Sequence, residues 1–408
     1  MQPLELDQAL ARVLAHAAPL DPVEVAVEAA RGSVLASPLR ARWQLPLADT
    51  GTMDGWAVQA ADLQEGGAPR LRRSSESAAG HPSTARLGPG EAARISTGAL
   101  VPEGADAVLA QEDIISVDDE AIIVDCGRTG PVAPGHYIRR AGSEVAQGDL
   151  LLNAGVQLNP ADLALLAGTG HPTVPVHRRP RVALVCTGDE LLPIGSTPVA
   201  GQIISTNGMM LAGMVAEVGA CPLDPISVDD DRQRTIDGLA RALANADVLI
   251  TSGGISVGDH DHVGAALGSL GMEPEFRRLN LRPGRPLTFG RLGRAWVFAL
   301  PGNPASAYVT FELVVRPLLC RLLGLPIDWR RPRTSLRLAA PARGAGGRLH
   351  VVRATAEGEL ATPLRQQGSG SLRSLAGHNA LLLVPPGVGE LPAGANVEAV
   401  LIDPSTRR

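Results

Sequence analysis

The chain has 408 residues, a formal net charge of −5, 45% hydrophobic residues, 19% charged residues and only 2% aromatic residues. This composition is typical of a folded globular protein, and the length predicts about two to four domains. The acidic balance and the shortage of aromatic rings argue against nucleic-acid binding, and the apolar runs are too short to predict a membrane-spanning helix.

The first part of the chain predicts a helix-and-strand unit that is interrupted by a β-rich insert. The predicted elements in order are a helix over 6–14, a strand over 23–27, a helix over 29–36, a helix over 160–166 and a connector over 172–176. Between them, residues 43–139 predict short strands, because apolar runs there are repeatedly broken by glycine and proline.

The second part of the chain alternates strands with helices. The predicted strands cover 181–186, 225–228 and 247–252, and the predicted helices cover 205–218, about 231–244 and 262–270. Gly219 is placed to end the first of these helices. Alternation of this kind predicts a mostly parallel sheet with helices on both faces. Short β-like runs return from residue 334 to residue 402.

Together these patterns predict a chain of the α/β class, with a mostly parallel three-layer α/β core domain flanked by β-rich domains in an elongated multidomain molecule. The predicted domains are a discontinuous helical and strand linker over 5–43 with 140–178, a β-rich insert over 44–139, an α/β domain over 179–326 and a terminal β domain over 327–408. The linker is discontinuous because its pattern stops at the insert and resumes after it.

Two residue types restrict the chemistry. All 37 basic residues are arginine, so an anion must be held by guanidinium groups and backbone amides rather than by lysine. The absence of lysine also excludes Schiff-base chemistry. The four cysteines are scattered without a C-x-x-C pair, which argues against a zinc knuckle or a disulfide framework and indicates a cytoplasmic protein.

The most informative loop is residues 252–261, which follows the apolar run 248–250. Its glycines permit positive φ and close backbone approach, as a phosphate cradle requires. Asp259 and Asp261 are two residues apart, so in an extended segment they point to the same side and suit a divalent cation. The interleaved histidines raise the alternative of a transition-metal site, but no second cluster accompanies them, and a hard cation is favoured.

Further motifs are predicted at the same edge of the sheet. Segment 187–190 ends a strand with adjacent acids that suit Mg²⁺ or a ribose, although a capped turn leading into a helix explains it equally well. The two arginines of segment 282–286 predict an oxyanion clamp, with a solvated turn as the alternative. Asn303 and Pro304 predict the N-cap and first residue of a helix directed at this edge. Helix capping alone explains segment 205–207.

Two polar loops of the insert, residues 49–57 and 95–99, are ordinary hairpin turns when either is taken alone. Taken together with the other motifs, they make the chain resemble the molybdopterin molybdotransferase family, the MoeA-like proteins that include the E domain of gephyrin. The matching segments follow the family's order, span roughly residues 5 to 400 and are 53–57, 97–99, 102–108, 188–191, 252–261, 282–286, 300–306 and 367–376.

The resemblance implies a four-part, L-shaped homodimer that inserts molybdate into the dithiolene of adenylylated molybdopterin and releases AMP, in the last step of molybdenum cofactor biosynthesis. Mg²⁺ is implied as the cofactor that assists cleavage of the pyrophosphate bond. The implied substrates are molybdate and molybdopterin-AMP, and the molybdopterin adenylyltransferase is the candidate partner protein.

The resemblance, carried over residue by residue, completes the set of candidate site residues. The catalytic candidates are Asp54, Thr97, Glu144, Glu190, Asp230, Asp261, Arg282 and Arg285. The candidates for binding substrate are Thr187, Gly188, Ser252, Gly253, Gly254, Ser256, Gly258, Pro301, Gly302, Asn303, Ser306 and Arg353. The metal candidates are Glu190, Asp259 and Asp261. Asp54 and Thr97 are expected to reach the site from the partner subunit.

The chain departs from the family's pattern at several positions. The clamp carries Arg285 where the family usually has lysine, and the same is often true at Arg282, so the charge is kept while the geometry differs. Residues 50–52 read Thr-Gly-Thr where the family usually has Asn-Ser-Ala. His378 and Ala380 replace small residues, commonly alanine and glycine.

Other functions are weighed against this one. A CinA-like pyrophosphatase and the molybdopterin adenylyltransferase have a similar α/β domain, but the adenylyltransferase typically reads Gly-Gly-Thr-Gly at residues 253–256 and lacks the flanking β domains. A non-enzymatic dimeric scaffold is disfavoured because it has no need of clustered like charges, which are costly to maintain. Molybdate and tungstate have nearly the same size and charge, so the sequence does not separate them.

Overall fold

The computed structural model of the chain describes residues 2–15, 17–63, 67–255, 262–326 and 331–402. In the α/β part, the strands lie in the spatial order Cys221–Pro222 with Ile226–Val228, Arg181–Thr187, Val248–Ser252, Ala295–Leu300, Pro286–Leu292 and Glu273–Arg278. The strands up to Ala295–Leu300 pair in parallel, as predicted, whereas the last two join antiparallel. The sheet is mixed because only two residues connect Pro286–Leu292 to Ala295–Leu300, too few for a parallel crossover.

Helices cover both faces of this sheet because side chains alternate along each strand. Leu184 packs in one buried cluster with Leu211, whereas its neighbour Val185 packs in another with Leu239. The helices are Asn207–Val218, Arg232–Leu243, His262–Ser269, Pro304–Thr310 and Arg316–Leu322, with a π-helical turn at Phe311–Val315. Gly219 ends the first of them at a φ of 100°, as predicted, because glycine adopts this left-handed conformation without a Cβ clash.

The first helix of the chain, Leu6–Ala15, packs on the α/β part rather than on the linker with which the domain prediction groups it. Its apolar face, which includes Leu10 and Val13, belongs to the same buried cluster as Leu318 and Leu319. The segment before it is also attached there, since the Leu4 amide donates to the Arg278 carbonyl at 3.0 Å.

The linker is built from two distant stretches of chain. Strand Pro22–Ala26 pairs antiparallel with Thr173–His177, and helix Pro160–Gly168 lies where it was predicted. The predicted connector over 172–176 is therefore wrong, because the alternating Val174 and Val176 are buried in strand pairing. The predicted helix over 29–36 is also wrong. Only a 3₁₀ turn, Val27–Ala29, forms there, and Gly32 then takes a φ of 73° that reverses the chain.

The insert and the terminal part each contain a six-stranded sheet. The insert strands are Gly55–Val58, Arg70–Ser77, Glu91–Ile95, Ala107–Ala110, Ile114–Val117 and Ala121–Val124. The terminal strands are Leu281–Arg282, Arg333–Leu338, Leu349–Glu357, Leu360–Pro363, Ala380–Val384 and Asn396–Leu401. The short remaining pairs are Leu39–Arg40 with Leu150–Leu152, Thr50–Gly51 with Ile138–Arg139, Leu191–Leu192 with Ile203–Ile204, and Ala342–Arg343 with Glu390–Leu391. Within the described ranges, no helix has the length and apolar character needed to cross a bilayer.

Candidate active site

The carboxyl ends of three parallel strands, Arg181–Thr187, Val248–Ser252 and Ala295–Leu300, open into one pocket of about 690 Å³. The predicted residues that line it are Thr187, Gly188, Glu190, Asp230, Ser252, Gly253, Gly254, Pro301, Gly302 and Asn303. These predicted residues thus lie around one cavity, because loops that follow neighbouring parallel strands converge at one edge of the sheet.

Glycines allow the strand-end loops of this pocket to approach one another. A Cβ atom on Gly253 would lie 2.5 Å from the carbonyl oxygen of Thr187, and Gly253 has a φ of 103°. A Cβ atom on Gly302 would lie 3.3 Å from the Cα atom of Gly253. Any larger residue would push these loops apart, so the cradle depends on glycine at both positions.

Asn207 ties the loops together from the start of helix Asn207–Val218. Its Nδ2 atom donates to Ser252 Oγ at 2.8 Å and to the Gly302 carbonyl at 2.7 Å. The interpretation of segment 205–207 as helix capping alone is therefore wrong, and the N-cap residue Thr206 makes no side-chain capping bond. The side-chain amide of Asn207 thus connects the two loops, which a helix cap would not do.

The family resemblance implies an AMP site here. For such a site we expect Asn207→Asp to weaken AMP binding by about tenfold or more, because the substitution removes both N–H donors at almost constant shape. Calorimetric titration of AMP into the purified protein measures this change. Asn245→Asp is a matched control, since Asn245 is exposed near the opposite end of the sheet. Equal AMP affinities for the two variants would contradict the role given to Asn207.

Two oxygen atoms in the pocket wall are buried without a hydrogen-bond partner in the described part of the chain. They are Oγ1 of Thr187, a residue that is only 5% exposed, and Oδ1 of Asn207. A buried polar atom without a partner costs free energy, so these two atoms are candidates to bind a polar group of a ligand.

Acidic side chains occupy the rim of the pocket. Glu190 folds back over Gly188, where an added Cβ atom would lie 2.5 Å from Glu190 Oε2. Asp189 accepts a hydrogen bond from the Asp230 amide at 2.9 Å and so joins two of the loops. Strand Leu191–Leu192 follows, so the alternative of a capped turn leading into a helix is wrong.

The structure tests the metal prediction only in part. The predicted Ser256, Gly258, Asp259 and Asp261 lie outside the described residues. Within the described ranges, no group of three or more histidine, cysteine, aspartate or glutamate residues is arranged to hold a metal ion. Glu190 is thus the one predicted metal ligand that the structure places at the pocket.

Helix Pro304–Thr310 forms the wall between this pocket and the terminal sheet. The helix begins at Asn303 and Pro304 as predicted, although the Asn303 side chain makes no capping bond. The Ala305 amide donates to the Ser369 carbonyl at 2.9 Å, and Gly370 lines the pocket itself. Segment 367–376, which carried part of the family resemblance, therefore belongs to the site.

Arg353 lies beneath segment 367–376 and is 0% exposed. Its Nη2 atom donates to the Gly368 carbonyl at 3.2 Å, whereas Nε and Nη1 have no hydrogen-bond partner in the described part of the chain. Burial lowers the pKa of Arg353 to about 10. A buried guanidinium with free donors is prepared to bind an anion.

The predicted clamp residues Arg282 and Arg285 are exposed and do not line the pocket. The turn that carries them nevertheless packs against helix Pro304–Thr310, because a Cβ atom on Gly284 would lie 2.5 Å from Thr310 Cγ2. Ser306, on this helix, is 4% exposed. The turn is thus adjacent to the wall that carries Ser306, and the two guanidinium groups extend from its surface.

Asp54, Thr97 and Glu144 lie in the insert and linker, and none of them lines the pocket of its own chain. Asp54 Oδ1 accepts a hydrogen bond from the Thr97 amide at 2.7 Å, and this bond holds the pKa of Asp54 below its usual value. Glu144 pairs with Arg139 at 3.7 Å. The two predicted partner-reaching residues are therefore neighbours.

The sequence interpretation did not assign Asn207 to the site, and it named Asp189 only as one of two adjacent acids that suit Mg²⁺ or a ribose. The partners of Asn207 are 45 and 95 residues away along the chain, and the partner of Asp189 is 41 residues away. Local patterns report only on neighbours in sequence, so nothing near Asn207 distinguished it from a capping amide.

Comparisons with known proteins cover almost the whole chain. The model of the MoeA N-terminal region (domain I and II) matches residues 4–170. That of a probable molybdopterin binding domain matches residues 183–321, and that of the MoeA C-terminal region (domain IV) matches residues 335–402.

Individual relatives agree with these matches. A molybdopterin molybdenumtransferase from Nostoc sp. is 36% identical over 382 residues, which cover 90% of this chain and 86% of that protein. One from Haemophilus influenzae is 33% identical over 408 residues, with 98% of each protein covered. The crystal structure of a molybdopterin biosynthesis MoeA protein from Pyrococcus horikoshii superposes with a TM-score of 0.84 at 31% identity, covering 98% of this chain and 100% of the other. The chain therefore belongs to the MoeA family and is a molybdopterin molybdenumtransferase of molybdenum cofactor biosynthesis.

Proposed function

We propose that the protein inserts molybdate into adenylylated molybdopterin, with Mg²⁺-dependent release of AMP. The observation that supports this most strongly is the position of Arg353, whose unpartnered guanidinium nitrogens lie directly behind segment 367–376, which also lines the glycine-rich pocket. One fold thus offers a phosphate cradle and an oxyanion site on the two sides of a single loop.

The phosphate half of the reaction is assigned to the strand-end loops. Gly253 and Gly302 let the backbone approach a pyrophosphate closely, and Asn207 connects the two loops by hydrogen bonds. Oγ1 of Thr187 is free to bind a phosphate or ribose oxygen. Cleavage of a phosphoanhydride needs positioning and charge neutralisation more than a covalent nucleophile, so such a cradle suffices.

The donor set of the pocket fits Mg²⁺. Glu190 and Asp230 supply carboxylate oxygens on one rim, and oxygen ligands are those that this hard cation prefers. We assign Glu190, with Asp259 and Asp261, to hold it. When bound, the ion neutralises charge on the pyrophosphate.

The oxyanion half of the reaction is assigned to Arg353 and its surroundings. Molybdate is a dianion, and guanidinium forks, hydroxyls and amides are the groups that bind it. Ser306 and a serine of segment 369–374 are assigned to the same oxyanion site. Arg282 and Arg285 are assigned to guide or hold anions from the exposed turn that packs against helix Pro304–Thr310.

The proposed assembly is a cytoplasmic homodimer in which Asp54 and Thr97 reach the site of the partner subunit. Neither residue lines the pocket of its own chain, which supports this arrangement. We also propose the four-domain division predicted from the sequence, with helix Leu6–Ala15 docked on the α/β domain, and the molybdopterin adenylyltransferase as the protein that hands over the substrate.

Release of AMP from adenylylated molybdopterin tests the proposal. We expect Asp261→Asn to slow this release by at least about tenfold, because loss of one carboxylate charge weakens Mg²⁺ binding. Asp237→Asn is the matched control, since Asp237 is exposed on helix Arg232–Leu243, away from the pocket lining. Unchanged AMP release in Asp261→Asn would refute the assignment of Asp261.

The same assay separates the remaining alternatives. Insertion is followed by reconstitution of an apo-enzyme, with molybdate and tungstate compared at equal concentration. Adenylylation of molybdopterin with ATP, instead of consumption of the adenylylated form, would contradict the proposed reaction. Absence of both activities would favour a non-enzymatic dimeric scaffold.

A further inference from the structure

The interface between helix Pro304–Thr310 and the terminal sheet encloses a histidine as well as Arg353. Val351 packs into the α/β core, so the alternation of the strand turns Arg353 towards the same side. The His378 ring lies edge-on to Tyr308 of the helix, with the ring centroids 4.9 Å apart. Arg353 lies on strand Leu349–Glu357, and His378 lies just before strand Ala380–Val384. The backbone amide of Asn379 donates to the Ala354 carbonyl, so both side chains lie at one interface.

The hydrogen bonding of His378 fixes its tautomer. Nδ1 lies 2.7 Å from the Leu375 carbonyl, which only accepts, so Nδ1 carries the proton of the neutral ring. Nε2 is then an unprotonated nitrogen, buried and without a hydrogen-bond partner in the described part of the chain. Nε and Nη1 of Arg353 are likewise buried without a hydrogen-bond partner in the described part of the chain, but they carry protons and are donors. An oxyanion bound at Arg353 can accept a hydrogen bond from His378 only if Nε2 also gains a proton.

The charged groups around His378 keep it neutral while the interface holds no anion. Burial has the largest effect and lowers the pKa of His378, and the nearby guanidinium groups of Arg353 and Arg331 lower it further. From the helix side, Tyr308 has a raised pKa because of burial and stays a neutral phenol, while Glu312 is occupied by its ion pair with Arg331. No described carboxylate is therefore available to stabilise the protonated ring in place of a ligand.

We propose that His378 takes up one proton from solvent when a tetrahedral oxyanion binds at Arg353, and then donates its Nε2–H to that anion. The proposal rests on the assignment of Arg353 to the oxyanion site and adds a pH-dependent specificity determinant to it. The anion raises the pKa of His378, so affinity is highest below the pKa of the free ring. Above that value, affinity falls by up to about tenfold per pH unit until the pKa of the complex is reached.

Calorimetric titration of sodium molybdate into the full-length protein tests the proposal. Measurements over a series of pH values, in two buffers of different ionisation enthalpy, count the protons taken up on binding. We expect close to one proton for the unmodified protein and almost none for His378→Gln, whose amide can donate but does not titrate. The affinity of His378→Gln should change by less than about twofold over the same pH range. His81→Gln, which removes an exposed histidine of the insert, should behave like the unmodified protein.

A second measurement does not depend on a substitution. In nitrogen-15 spectra of the histidine-labelled protein, one imidazole should change from the neutral to the protonated form when molybdate is added. Unchanged imidazole signals, or equal proton uptake with and without His378, would overturn the proposal while leaving the oxyanion site intact. Absence of molybdate binding in the unmodified protein would instead overturn the oxyanion site itself.

Discussion

Arg353→Met will weaken molybdate binding by roughly a hundredfold or more, because it removes at least two charge-assisted hydrogen bonds worth about 1.5–3 kcal/mol each. The same substitution will leave the empty protein at least as stable as before. Arg353 is 0% exposed, and no described carboxylate pairs with it, so its charge is held at a cost to folding. Function and stability therefore change in opposite directions.

The pKa of Arg353 leads to the same expectation. Burial lowers this pKa to about 10, below its ordinary value, so the unfolded chain binds the proton more tightly than the folded one. Neutral pH, well below both values, is then the region in which the buried charge opposes folding. A neutral side chain of similar length removes that opposition, and thermal unfolding should show an unchanged or higher Tm.

Two control variants separate the possible causes. Arg353→Lys keeps the charge but loses the planar fork, and we expect it to recover only part of the molybdate affinity. Arg365→Met removes an exposed arginine near the same loop and should change neither affinity nor Tm. A large fall in the Tm of Arg353→Met would contradict the idea that this cation is stored for a ligand, since it would show that the guanidinium mainly stabilises the fold.

Glu312→Gln will have the largest effect on stability, with a loss of about 3–5 kcal/mol in the free energy of unfolding. Glu312 is 4% exposed in the π-helical turn Phe311–Val315, and both of its oxygens accept from Arg331, at 3.0 and 3.1 Å. Arg331 also bonds the Ile402 carbonyl, so the pair connects the α/β core with the end of the terminal sheet. Removing the carboxylate leaves a buried cation without its main partner.

Urea unfolding, together with hydrogen exchange of strand Asn396–Leu401, measures this loss. In the unmodified protein, burial opposes the charged form of Arg331, but the ion pairs with Glu312 and Glu217 raise its pKa on balance. Arg331 stays charged in the variant because a guanidinium does not lose its proton near neutral pH. Glu217→Gln is the matched control, because the Glu217 side chain is 56% exposed and its pair with Arg331 is worth less than about 1 kcal/mol. Equal destabilisation by the two substitutions would contradict the importance given to burial.

The sequence predicted the α/β part of the fold well, since its strands are short apolar runs and its helices have clear ends. Val248–Ser252 is buried at every position, and Gly219 and Asp231 mark helix boundaries where they were expected. The errors occurred where local patterns compete with distant pairing. The segment 172–176 becomes a strand only because Pro22–Ala26, far away in the chain, supplies its partner.

The site was predictable where its residues follow directly on strands, as with Gly253 and Gly302. It was not predictable where a side chain acts on distant loops, as Asn207 does, or where burial rather than sequence context makes a residue unusual. Arg353 was found only through family resemblance, because nothing in its surrounding sequence shows that two of its nitrogens lack partners. The burial of a residue depends on tertiary packing, which the hydrophobic periodicity of the sequence does not report.

The pairing of Pro22–Ala26 with Thr173–His177 also limits the order in which a growing chain can fold on the ribosome. The strands of the insert pair among themselves, so all of this sheet is synthesised before the partner strand of Pro22–Ala26. The apolar face of helix Leu6–Ala15 is buried later still, because it packs on residues beyond 310. The segment made first is thus among the last to be buried. The nascent chain exposes an unpaired strand edge until Thr173–His177 is made, and an apolar helix face until residues beyond 310 are made.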